Sequence, residues 1–230
     1  MEIIYEDNQL IAINKSCHEI VQGDKTGDTP LSEMLKAYLK EKYAKPGNVF
    51  MGVTHRLDRP VTGVVIFAKT SKSLMRMNEI FRNGTIKKTY WAIVNNCPPE
   101  QEQTLTHWLV RNEKQNKSYA YDNDKPNAKK AVMHYRLVSK SVNYYLLEIN
   151  LESGRHHQIR CQLAHIGCPV KGDLKYGAKR SNPDGGICLH ARSIEFAHPV
   201  SKEPIYIYAN PPEEGLWKAL TKEIIQDETV

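Results

Sequence analysis

No stretch of this 230-residue chain is apolar for long enough to cross a bilayer, so no membrane partner is expected. The opening residues include Glu2, Glu6 and Asp7, which excludes a basic-then-apolar secretion signal. The five cysteines (Cys17, Cys97, Cys161, Cys168, Cys188) are odd in number and scattered, and none stands in a Cys-x-x-Cys pair. That argues against a zinc ribbon or a disulfide framework and for buried thiols in a reduced, cytoplasmic protein. Internal repeats, low-complexity tracts and cofactor-binding motifs are also missing, so no cofactor is expected.

What the chain does carry is positive charge in two places. Its net charge is +6, with 40% apolar and 25% charged residues, an ordinary balance for a globular protein. Residues 54–90 hold eight Lys and Arg against two Asp and Glu, and residues 151–192 hold seven against three. The remainder is net acidic. Two basic blocks far apart in sequence suit a phosphate backbone if folding joins them in one face. The length fits one domain over residues 1–230, taken as a monomer.

The pattern of elements reads as α+β, a mostly antiparallel mixed sheet flanked by helices. Glu2 to Lys15 reads as two short strands around Glu6-Asp7-Asn8. Thr29-Pro30 predicts a helix start, with Thr29 as N-cap and Pro30 at the first helical position. Leu31, Met34, Leu35, Tyr38 and Leu39 follow at helical spacing. Gly63 to Ala68 is a continuous apolar run, the mark of a buried strand, and Ser71 to Asn83 predicts a helix stopped by Gly84. Strands are expected over 86–94, 104–110, 131–138, 144–151, 187–196 and 204–208. Helices are expected over 156–166 and 216–225. The lysine-rich segment 112–127 reads as a mobile loop.

Three groups of residues carry possible chemistry. Asp58 lies in Thr54-His55-Arg56-Leu57-Asp58-Arg59-Pro60, just before the buried strand, where loops present catalytic groups from a rigid base. Its flanking arginines favour an ionised carboxylate. Gly154-Arg155-His156-His157-Gln158-Ile159-Arg160 loads cations at a helix start, which makes sense if an anion such as phosphate binds there. Arg160 falls one turn later, placed to reach inward to a buried carboxylate. In Lys88-Thr89-Tyr90, strand alternation puts Lys88 and Tyr90 on one face, a stacking plane beside a cation.

Together these residues resemble the RluA-type family of RNA pseudouridine synthases. The resemblance runs through Ile4-Tyr5-Glu6-Asp7 to Lys15, His55-Arg56-Leu57-Asp58, Lys88-Thr89-Tyr90, Gly154 to Arg160, Gly172-Asp173-Leu174-Lys175-Tyr176-Gly177, Leu189-His190-Ala191 and Phe196-Ala197-His198-Pro199. The chain has Lys15-Ser16 where the family has Lys-Pro, and Val61-Thr62-Gly63 where it has Thr-Ser-Gly. By this resemblance the chain is expected to start at the catalytic core, where many relatives carry a small RNA-binding domain first. The resemblance implies conversion of uridine to pseudouridine in ribosomal or transfer RNA, with no cofactor and no metal. It implies that Asp58 is the catalytic carboxylate, that Arg160 pairs with it, and that Tyr90 stacks on the uracil. Arg56 would fill the space left by the flipped uridine. His55, Lys88, Arg155, His157, Gln158 and Lys175 join Arg56 as expected RNA contacts.

Two other classes compete. A catalytically silent RNA-binding protein would use the same scaffold, but Asp58, Tyr90 and Arg160 are intact. A metal-dependent nuclease would use His156, His157, His165, His190 and His198, but His-Glu-x-x-His is absent and few carboxylates accompany them.

Overall fold

The computed structural model describes residues 1–24, 26–213 and 215–227. The chain divides into two compact units, residues 1–87 with 191–209 and residues 88–190 with 210–230.

In the first unit, β1 (Glu2–Glu6) and β2 (Leu10–Lys15) form an antiparallel hairpin. Asp7 makes its turn: Oδ1 accepts from Gln9 N and Leu10 N at 2.7 and 2.6 Å, the local bonding that favours Asp in turns. β2 pairs antiparallel with β4 (Thr62–Ala68), and the two-residue β3 (Gly52–Val53) pairs with the far end of β4. β10 (Leu189–Ala197) lies on the other side of β4 from β2, and β11 (Pro204–Tyr208) pairs with β10.

Helices cover both faces of this sheet. Leu31, Leu35 and Leu39 of α1 (Leu31–Lys42) pack on Ile11, Ile13, Val65 and Phe67. Met77 of α2 (Ser71–Asn83), with Leu74, Ile80 and Phe81, packs on Leu10, Ala12, Val64 and Ile66. All seven residues of β4 are therefore buried, which is why its sequence is continuously apolar rather than alternating. The expected Gly84 stop is present, with φ 69°.

The expected start of α1 is corrected by one residue. Pro30 occupies the N-cap, and no side chain caps the helix. Its first two amides are met by backbone instead: Leu31 N donates to Ile20 O at 2.8 Å and Ser32 N to Val21 O at 3.4 Å. The loop residues Ile20 and Val21 supply what a Thr hydroxyl would have.

The second unit holds five antiparallel strands in the order β5 (Lys87–Val94), β9 (Tyr145–Leu151), β8 (Lys129–Lys140), β6 (Glu102–Asn112) and β7 (Lys117–Tyr121). α3 (Gln158–His165) buries Cys161 against Leu109 and Ala131, and α4 (Gly215–Asp227) is the last helix in sequence among the described residues. β7 corrects the expectation of a loop over 112–127. It runs alongside β6, and pairing rather than apolar content makes it a strand. The class is α+β with a mostly antiparallel sheet, as the pattern predicted.

Three of the five cysteines are buried, while Cys17 is half-buried and Cys97 is exposed, so the expectation of five buried thiols is corrected. Burial pushes the Cys161 thiol up to about 12 and Cys168 to about 11, which keeps both inert.

Candidate active site

In the first unit the candidate carboxylate sits on a connection built from both ends. Segment 54–61 leaves β3 and returns as β4. Thr54 Oγ1 donates to Ile66 O at 2.6 Å, and His55 Nε2 accepts from Ile66 N at 3.0 Å. His55 also packs against Phe81, ring centroids 4.9 Å apart. One ring nitrogen of His55 is thereby given to the strand, so this residue anchors the loop. Asp58 is half-buried, and its carbonyl accepts from Val61 N at 3.0 Å, closing a turn around Arg59-Pro60. Arg56 and Arg59 are exposed, and Arg59 meets the Asp28 carboxylate.

Lys15 holds that turn from below. It is 1% exposed at the end of β2, in register with Gly63. Its Nζ donates to the carbonyls of Ser16, Arg59 and Val61, each at 2.8 Å. An ammonium has three donors, and each finds one carbonyl. Burial lowers the Lys15 pKa to about 8, against the opposing charges of Glu19, Cys17 and Asp58. Gly63 supplies the other constraint. It has φ 111°, and a Cβ there would lie 2.3 Å from Ala191 O and 2.6 Å from Ala191 N. Only glycine lets β10 approach this closely.

In the second unit the expected helix 156–166 starts later, at Gln158. His157 is the N-cap in the left-handed region, φ 52°, a conformation in which histidine is enriched among non-glycine residues. The sharp reversal lets Gln158 brace the loop before it. Gln158 Oε1 accepts from Arg155 N and Ser153 Oγ at 3.0 and 2.9 Å, while Nε2 donates to Val132 O at 3.0 Å. His157 Nδ1 lies 2.9 Å from Tyr176 Oη, which accepts from Ser118 N at 2.8 Å. His156 stacks on His157 at 3.8 Å and also reaches Ser118 and Asn116.

Arg160 turns inward from this helix. Its Nε donates to Asp173 Oδ2 at 2.6 Å and its Nη2 to Asp173 Oδ1 at 2.9 Å. The guanidinium also lies 5.1 Å from the Tyr176 ring centroid. The resemblance implies Asp58 as the partner of Arg160, whereas this ion pair is made with Asp173. Asp173 lies on the turn Gly172–Gly177, whose Lys175 Nζ donates to Asn116 O at 3.1 Å.

Of the expected RNA contacts in this unit, Arg155 and Lys175 are exposed, Lys88 is half-buried, and His157 and Gln158 are buried. The last two therefore shape the loop from inside. Lys88 Nζ comes 3.4 Å from the position a Cβ would take on Gly154, so the two motifs meet at that glycine. Burial lowers the Lys88 pKa. Tyr90 is half-buried on β5, opposite Ile149.

Among the described residues, none of the candidate metal-ligand groups joins two of the histidines expected of a nuclease, although His156 stacks on His157. His198 faces Asp7, His190 packs edge-on against Trp217, and His165 meets Asp122. His107, Asp122 and His165 do bring ligand atoms within 4.8 Å of one another. However, Gln162 Nε2 donates to His107 Nδ1 at 2.9 Å. The neutral ring then carries its proton on Nε2, the atom facing Asp122, so this cluster suits hydrogen bonding better than metal.

Two residues that brace these segments, one in each unit, had no role from sequence. Lys15 was visible as a lone cation ending an apolar strand, and Asp173 as the acid inside the Gly172–Gly177 signature.

A family model described as RNA pseudouridylate synthase matches residues 9–165. The chain is 33% identical over 216 residues to an uncharacterized RNA pseudouridine synthase of Synechocystis, covering 92% of this chain and 66% of that protein. It is 30% identical to ribosomal large subunit pseudouridine synthase C of Buchnera aphidicola, covering 97% and 70%. It is 29% identical to tRNA pseudouridine synthase C of Vibrio cholerae, covering 97% and 95%. The solved structure of human RNA pseudouridylate synthase domain containing 4 shares the fold, with TM-score 0.76 at 23% identity over 92% of this chain and 88% of that one.

Proposed function

The chain belongs to the RNA pseudouridylate synthase family, and we propose that it isomerises a uridine of ribosomal or transfer RNA with Asp58 as the carboxylate acting on the sugar. Pseudouridine formation breaks the C1′–N1 bond and joins C1′ to C5. The C5 hydrogen leaves as a proton and N1 gains one, so the reaction needs no redox partner and no energy source. An ionised carboxylate serves either by attack at C1′ or by removing a C2′ proton.

What supports Asp58 is the construction of its turn. Three Lys15 hydrogen bonds, a glycine that admits a neighbouring strand, and a histidine spent on β4 all fix one short connection. A catalytic group gains from such rigid support. Tyr90 takes the uracil face, Arg160 supports the charge of Asp58, and the exposed Arg56 occupies the gap left by the flipped base. Arg155 and Lys175 meet phosphates. The protein acts as a cytoplasmic monomer without metal or cofactor.

Mapping pseudouridines in cellular RNA with and without this gene tests the reading. Loss of specific sites in ribosomal or transfer RNA is the expected result, and an unchanged map contradicts it.

A further inference from the structure

The segment that sequence reads as a loop forms an aromatic sheet face. In the β6–β7 pair, Trp108 lies opposite Tyr121 and Val110 opposite Tyr119. Strand alternation puts these side chains on one face and Leu109, Ser118 and Ala120 on the other, toward α3. Tyr119 is 38% exposed and Tyr121 36%. Cations stand over both rings: Lys117 Nζ is 5.4 Å from the Tyr119 centroid and Lys125 Nζ is 5.2 Å from that of Tyr121. Lys130 lies opposite Trp108 on the β8 side. Residues 111–130 hold six Lys and Arg against three Asp and Glu.

A cross-strand aromatic pair by itself only strengthens a sheet. Here, though, exposed rings on one sheet face are interleaved with lysines, the arrangement that single-stranded nucleic acid fits. Bases stack on the rings while the lysines swing to the flanking phosphates. We propose that the outward face of β6 and β7, Trp108, Tyr119 and Tyr121 with Lys117, Lys125 and Lys130, is a platform for unpaired RNA bases. The choice of RNA rests on the pseudouridine synthase reading. The platform reads no base edge, so it tolerates many sequences and holds RNA outside the target uridine.

Oligoadenylate tests this separately from catalysis, because it contains no uridine. Trp91 is fully buried and Trp217 is 7% exposed, so quenching by a stacked base reports Trp108. Titration of the full chain with oligoadenylate is expected to give saturable quenching that disappears in Trp108→Phe. Anisotropy is expected to show roughly 5- to 100-fold weaker binding for Tyr119→Ala and Tyr121→Ala. Lys117→Gln with Lys125→Gln leaves the rings in place, and it should also weaken binding and flatten its salt dependence. Quenching that survives Trp108→Phe, or affinity unchanged in the tyrosine and lysine variants, overturns the platform. Binding to oligoadenylate without isomerisation of uridine-containing RNA leaves the platform standing and counts against the enzymatic reading instead.

Discussion

Arg160 and Asp173 form a two-pronged ion pair that is almost completely withdrawn from water, 5% and 1% exposed. Removing Asp173 takes away the buried carboxylate that receives both of these guanidinium hydrogen bonds. Asp173→Ala should therefore lower unfolding free energy by roughly 3–5 kcal/mol in urea melts. A loss below about 1 kcal/mol, the size of an exposed pair, would contradict the burial of this contact.

Lys15 yields a pH prediction whose sign differs between stability and activity. Its folded pKa is about 8, below the ordinary 10.5, because burial disfavours the ammonium. Between those values the unfolded chain holds the extra proton, so this group's contribution to stability rises with pH. The neutral amine, however, has two donors for three carbonyls, and the Asp58 turn loosens. Turnover should fall as pH rises through about 8 without a matching fall in stability from this residue. In Lys15→Arg, where the charge persists, that alkaline limb should vanish from the pH–rate profile. An identical limb in the variant would assign it to another group.

Gly63→Ala should be far more damaging than Gly84→Ala, although both glycines have positive φ. At Gly84 nothing lies within 4 Å of the added carbon, so only backbone strain of about 1 kcal/mol is expected. At Gly63 the carbon meets the Ala191 backbone, and β10 must move. Thermal melts of the two variants side by side check this, and equal losses would contradict the close approach.

RNA affinity should fall steeply with salt. If the basic blocks 54–90 and 151–192 contact about 4–6 phosphates, the log–log slope should be about −3 to −5. Charge reversal at Arg155 or Lys175 should weaken many RNA sequences alike, since phosphate contacts carry no base information. A flat response would place the binding surface elsewhere.

Where periodicity reflects burial, the sequence was a good guide. α2 spans the expected 71–83, and β4 is as apolar as a strand covered on both faces must be. Features created by tertiary partners were not visible. β7 has only Tyr119 and Tyr121 as strand formers among polar neighbours, and it exists because β6 pairs with it. The start of α3 depends on a left-handed His157, which no local apolar pattern encodes. Among the candidate residues, Asp58 and Arg160 stood out by charge and context. Lys15 and Asp173 did not, because what matters in them is which distant carbonyls and guanidinium they meet.

The central claim is that the Asp58 carboxylate carries out the isomerisation. Isomerisation releases the C5 hydrogen, so RNA made with uridine tritiated at C5 loses label to water in proportion to turnover. Wild-type protein and Asp58→Asn, matched for thermal stability and RNA affinity, should be compared in that assay. The amide keeps the shape of the side chain but has neither nucleophile nor base. Label release by wild type and none above background by Asp58→Asn is the predicted result. Release by Asp58→Asn near the wild-type rate would contradict it.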